Sequence, residues 1–110
     1  MPSFYDDMQQ IGQPSEYHQF LETNEYCGVY YSSEQCGVCN SMKPRVSLVY
    51  QKAGMPIKEL SLNDFRELAG QQLILKSPTV VLYENGREIL RDSGFIDLDK
   101  ISRNLELILS

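Results

Sequence analysis

Apolar residues recur along this chain with two different periods, and the switches between them mark out the elements. Pro14 and Ser15 open the first helical stretch, with Ser15 as the expected N-cap. Tyr17, Phe20 and Leu21 then follow at helical spacing up to about Asn24. Tyr26 to Ser32 is dense in aromatic and β-branched residues, the composition of a buried strand. Met42, Val46, Leu48 and Val49 belong to a second helix over Asn40 to Lys52. Pro44 interrupts its hydrogen bonding and Gly54 ends it. Pro56 to Leu62 predicts a second strand, and Asn63-Asp64 caps a short helix from Phe65 to about Leu73.

Thr79 to Tyr83 is the strongest strand signal. Asn85-Gly86 separates it from an alternating run, Arg87 to Arg91, which is the signature of a tight hairpin because both turn residues tolerate positive φ. Gly94 breaks the strand. Asp97 caps a last helix, with Ile96 and Ile101 as a hydrophobic staple and Leu98, Ile101, Leu105 and Ile108 as its apolar stripe. A strand–helix–strand unit followed by a hairpin implies an α/β fold. Its mixed central sheet of about four strands carries helices on both faces. Residues 1–13 are polar and without period, an expected arm or short helix; residues 14–110 form one domain.

Composition narrows the class. The chain has 110 residues, 42% apolar and 23% charged, as expected of a single globular domain. Its net charge of −5 argues against nucleic acid and anionic membrane surfaces as partners. Three cysteines is an odd number, unlike a disulfide-stapled secreted domain. The first residues lack a basic stretch followed by an apolar run, and no apolar stretch has transmembrane length, so a reducing, cytoplasmic setting is expected.

The chemistry concentrates in Cys36-Gly37-Val38-Cys39, just after the first strand and at the start of the second helix. A thiol at a helix N-terminus meets unpaired N–H groups and the positive end of the helix dipole, and both favour the thiolate. A second thiol one turn on can reach back and close a disulfide, so the spacing encodes a reversible two-electron switch. Cys36 is expected to attack and Cys39, more buried, to resolve. Cys27 reads as a small buried hydrophobe, with a regulatory thiol as the alternative. A zinc site would need Cys27, Cys36, Cys39 and His18, and the spacing lacks a second close ligand pair, so no metal is expected. His18, the only histidine, reads as a solvated helix residue, and Lys43 and Arg45 as a solvated face.

The pattern resembles the thioredoxin family over about residues 15 to 110. The resemblance rests on the Cys-x-x-Cys after the first core strand and Pro44 five residues beyond Cys39. Ser77-Pro78-Thr79 entering the strongest strand, Asn85-Gly86 in the hairpin and Gly94 before the last helix complete it. It implies a thioredoxin fold and a cis Ser77–Pro78 bond facing the dithiol. A substrate segment would then lie along Gly37, Val38, Ser77, Pro78 and Gly94. It further implies a monomeric thiol–disulfide oxidoreductase that acts on protein disulfides, needs no cofactor beyond its own cysteine couple, and draws on an electron donor similar to thioredoxin reductase. The alternative is an interaction module with little turnover.

The departures are specific. The family's tryptophan before the first cysteine is Gln35 here, and its usual Gly-Pro dipeptide is Gly37-Val38. The place of its buried aspartate is Tyr30, and that of the paired lysine is Glu59. Glu59 therefore reads either as an exposed carboxylate on a strand edge or as a substitute proton acceptor for Cys39. Tyr30 reads as core packing. Because Gly37-Val38 adds no cation beside Cys36, the couple is expected to be reducing.

Overall fold

The strand residues sort by alternation onto the two faces of one sheet, and each face has its own apolar core. The computed structural model describes residues 8–110. Its elements in chain order are β1 (Gln9–Gln10), α1 (Pro14–Thr23), β2 (Tyr26–Ser32), α2 (Gly37–Lys52) and β3 (Ile57–Ser61). Then come α3 (Arg66–Gln71), β4 (Thr79–Glu84), β5 (Arg87–Ser93) and α4 (Leu98–Leu109). The sheet order is β1-β3-β2-β4-β5. β1 and β2 each pair parallel with β3, while β4 pairs antiparallel with both β2 and β5.

On one face Cys27, Val29 and Tyr31 of β2 and Val81 and Tyr83 of β4 pack with Tyr17, Phe20 and Leu21 of α1 and with Leu68 and Ala69 of α3. On the other, Tyr30, Val80 and Leu82 pack with Met42, Val46 and Tyr50 of α2 and with Ile101 and Leu105 of α4. The first core also buries three phenols. Their hydroxyls satisfy one another, Tyr31 to Tyr83 at 2.6 Å and Tyr17 to each of them at 3.3 Å.

The mixed sheet with helices on both faces is as expected, but it has five strands. The fifth is β1, where an arm or short helix was expected. Gln9 and Gln10 pair with Lys58 and Glu59, and the flanking Met8 and Ile11 are buried. Residues 1–7 of that expected arm lie outside the described residues. Two caps also differ. α1 starts at Pro14 with Gln13 as its N-cap in place of Ser15, because proline is suited to the first helical position. Asn63 does not cap α3, whose N-cap is Phe65; its side chain is turned elsewhere, as described below. Asp97 caps α4 as expected, accepting the Lys100 N–H at 3.1 Å.

Candidate active site

Two loops and one helix start converge at the end of β2. α2 begins at Gly37, earlier than the expected Asn40, which makes Cys36 itself the N-cap: its Sγ accepts the Cys39 N–H at 3.1 Å. A sulfur thus occupies the place where Ser or Asp usually satisfies an orphan helix donor. Cys36 and Cys39 are joined as a disulfide, with Cα atoms 5.2 Å apart. Cys36 is partly exposed, whereas Cys39 is 2% exposed. Pro44 lies inside α2, which continues through it to Lys52.

The loop that presents Cys36 is tied on several sides. The Glu34 N–H donates to Asn63 Oδ1 at 2.8 Å, and the Leu62 N–H to the Ser32 carbonyl at 2.8 Å. Ser33 and Ser77 share a hydroxyl–hydroxyl bond of 2.7 Å. Gln35, next to Cys36, has φ of +55°, a left-handed turn that reverses the chain into the helix. Opposite lies the Ser77–Pro78 bond, which is cis. Cys36 Sγ is 3.9 Å from the Ser77 carbonyl oxygen, so the proline loop faces the more exposed sulfur. Gly94, at φ of +71°, donates its N–H to the Pro78 carbonyl at 2.8 Å. Cys36, Cys39, Ser77, Pro78 and Gly94 are therefore linked by contacts. Gly37 and Val38 form the first turn of α2 between the cysteines, and Gly37 has open space around its Cα.

Beneath the dithiol the residues are not bystanders. Tyr30 is fully buried, and its hydroxyl donates to the Cys39 carbonyl at 2.7 Å. It anchors the first turn of α2 from below, a role that core packing alone does not describe. Burial, followed by the nearby Glu59 charge, pushes its phenol up, so it stays protonated and serves as a donor. Glu59 pairs with Tyr30 across β2 and β3.

Glu59 is not the exposed edge carboxylate considered above. It is 8% exposed, because β1 covers the outer side of β3. Its Oε1 meets Lys43 Nζ at 3.1 Å and Gln10 Nε2 at 3.4 Å, and its Oε2 accepts from Ser32 Oγ at 2.7 Å. Lys43 therefore leaves the expected solvated face to pair with it. The pair was legible only as two opposite charges whose meeting depends on how α2 packs on β3.

Cys27 is fully buried on the opposite face, with Sγ near the Phe20 carbonyl at 3.9 Å; desolvation pushes its thiol up to about 11. His18 is exposed, its ring edge against Tyr17. Among the described residues no three His, Cys, Asp or Glu side chains cluster to hold a metal ion, and no helix is long and apolar enough to cross a membrane.

A cysteine pair at a helix start, able to cycle between dithiol and disulfide on this fold, defines a thiol–disulfide oxidoreductase. The chain belongs to the thioredoxin family: the family model named Thioredoxin matches residues 9–107. Among its relatives, the thioredoxin-like protein YdfQ of Bacillus subtilis is 23% identical over 90 residues, covering 81% of this chain and 80% of that protein. The thioredoxin of Mycoplasmoides gallisepticum is 25% identical over 100 residues, covering 90% of this chain and all of that one. Among solved structures, a mutant thioredoxin from Halobacterium salinarum superposes with a TM-score of 0.85 at 17% identity, over 100% of this chain and 97% of that one; this likeness shows the fold.

Proposed function

We propose that the protein reduces disulfides in protein substrates. The observation that carries this reading is Cys36 as N-cap of α2: the more exposed sulfur accepts a backbone N–H at the positive end of the helix, the environment that stabilises a thiolate. The Cys36 thiolate attacks one sulfur of the substrate disulfide, forming a mixed disulfide and releasing one substrate thiolate. Cys39 then gives up its proton and attacks Cys36 Sγ. This breaks the mixed disulfide, releases the second substrate thiolate and leaves the Cys36–Cys39 disulfide. Two electrons pass from the dithiol to the substrate. The extended substrate lies along Ser77, Pro78 and Gly94 and over Gly37 and Val38, and its backbone supplies most of the contact. A reductase resembling thioredoxin reductase restores the dithiol, and the setting is a reducing, cytoplasmic one in which the protein acts as a monomer.

Insulin reduction by wild type and Cys36→Ser tests the reading. Activity in wild type and none in Cys36→Ser supports it. No difference between them means a docking module without turnover. Equilibration with glutathione sets the direction: a midpoint near about −270 mV fits a reductase, and one above about −180 mV overturns that assignment.

Glu59 is the proposed proton acceptor for Cys39, supported by its burial beneath β1 beside Tyr30. Its oxygens already serve Lys43, Ser32 and Gln10, so the proton would pass within a hydrogen-bonded group. The expected result for Glu59→Gln is a loss of turnover between about 10² and about 10⁴-fold with an altered pH profile. An unchanged rate and profile would remove Glu59 from the mechanism.

A further inference from the structure

The segment from Gln72 to Pro78 joins α3 to β4 and carries the proline that faces Cys36. Little apolar packing holds its first half: Leu73 is 67% exposed and Leu75 86%, and only Ile74 is buried. Leu73 also has φ of +55°, a left-handed conformation that a leucine adopts only when its surroundings impose it.

The turn is set by backbone bonds, Leu73 N–H to the Gly70 carbonyl at 3.1 Å and Ile74 N–H to the Ala69 carbonyl at 3.0 Å, and a side chain from the edge strand holds its outward carbonyls. Arg91 stands opposite Val81 on β5. Its Nη1 donates to the Leu73 carbonyl at 2.8 Å and its Nη2 to the Gln72 carbonyl at 2.8 Å. The same guanidinium is oriented by Glu88, through Nε to Oε2 at 2.9 Å and Nη2 to Oε1 at 2.7 Å. Gln72 is the C-cap of α3, so these carbonyls have no partner within the helix, and the planar fork of arginine satisfies both.

The far end of the segment is fixed separately. Thr79 Oγ1 donates to the Lys76 carbonyl at 2.7 Å and meets Ser93 Oγ at 2.8 Å, and Ser33 holds Ser77. The segment is therefore a strap clamped by hydrogen bonds at both ends, with Ile74 and Pro78 as its buried points.

We infer that Arg91 is a positioning residue for the substrate-binding edge: its guanidinium fixes how residues 72–78 leave α3, and thereby where the Ser77–Pro78 backbone meets a protein substrate. This rests on the reading that such a substrate lies along that edge. Arg91 does not touch the sulfurs, so it governs recognition of an extended chain and leaves the dithiol chemistry alone. A small disulfide that needs no backbone pairing is indifferent to it.

The test compares Arg91→Met, Arg91→Lys and Glu88→Gln on two substrates, insulin and the small aromatic disulfide 5,5′-dithiobis(2-nitrobenzoate). The expected result for Arg91→Met is a loss of about tenfold in kcat/KM on insulin, carried mainly by KM, within the range that misplacement of a binding element produces. The small-disulfide rate and the glutathione equilibrium stay within about twofold of wild type. Arg91→Lys, which keeps the charge and loses the fork, and Glu88→Gln change in the same direction by less. An unchanged insulin KM in the folded variants, or parallel losses on both substrates, overturns the inference. If Arg91→Met does not fold, Arg91→Lys and Glu88→Gln decide it by the same criterion.

If wild type itself leaves insulin intact, the reading of the site fails, and amide exchange alone judges the clamp. Exchange at Leu73 and Ile74 at least about tenfold faster in the variants, with Val29 in β2 unchanged, supports it. Unchanged exchange at Leu73 and Ile74 rejects it.

Discussion

Cys39→Ser is expected to abolish turnover on protein disulfides while leaving the first chemical step intact, turning the protein into a covalent trap. The two sulfurs are already within bonding reach, with Cα atoms 5.2 Å apart at the N-cap and the third residue of α2. Resolution by Cys39 is therefore intramolecular. Effective molarities for such reactions reach about 10⁵ M and above, which no external thiol at millimolar concentration replaces. The expected loss in turnover is at least about a thousandfold, with one equivalent of substrate retained on Cys36 through a mixed disulfide. Mass spectrometry of the unreduced adduct reads the attachment site.

Cys27 offers no bypass, because it is buried on the opposite face of the sheet and desolvation pushes its thiol up to about 11. Cys36→Ser gives neither turnover nor adduct. An adduct on Cys39 in wild type, or sustained turnover in Cys39→Ser, contradicts the division of labour between the two sulfurs. The asymmetry of the pair sets this division: one sulfur is partly exposed and caps the helix, and the other is sealed beneath it on a residue whose carbonyl Tyr30 holds.

How far such an asymmetry is legible without coordinates depends on what each feature is made of. The aromatic and β-branched runs of β2 and β4, the hairpin at Asn85-Gly86 and the cap and staple of α4 are local patterns, and all lie where the sequence puts them. The placement of two cysteines at the start of α2 is local as well. β1 is not local: Gln9 and Gln10 are polar and exposed, and they are strand only because their backbone pairs with Lys58 and Glu59. Missing β1 made β3 look like an edge, and so made Glu59 look solvated. Asn63 looked like a cap because its sequence position allows it; a competing donor, the Glu34 N–H, takes its side chain instead. The contact of Arg91 with Gln72 and Leu73 spans almost twenty positions and leaves no periodic trace.

A second large effect is expected at Gly28, where adding one methyl group damages the fold. Gly28 lies inside β2, between Ile57 of β3 and Leu82 of β4. A Cβ built there would collide with the edge of the Tyr50 ring of α2, with Cζ at 2.7 Å and the hydroxyl oxygen at 2.9 Å. Tyr50 is itself 2% exposed, so the ring makes room only by swinging toward the small cavity it lines with Val80 and Leu82 or by carrying the helix with it. Overpacking of this kind costs about 1–3 kcal/mol, and for a domain of this size each kcal/mol lowers Tm by about 4–8 °C. Gly28→Ala should therefore melt well below wild type, although alanine suits a strand no worse than glycine does.

Gly70→Ala in α3 is the matched control. Nothing lies within 4 Å of its would-be Cβ, and replacing a helical glycine by alanine gains about 0.5–1 kcal/mol. Trimming the ring separates collision from strand propensity: Gly28→Ala combined with Tyr50→Leu should be more stable than the sum of the two single changes allows. Additive losses, or a Gly28→Ala protein as stable as wild type, would show that α2 is free to shift on the sheet. A helix free to shift could not hold Cys36 and Cys39 against the proline loop, so this glycine bears on the site as well as on stability.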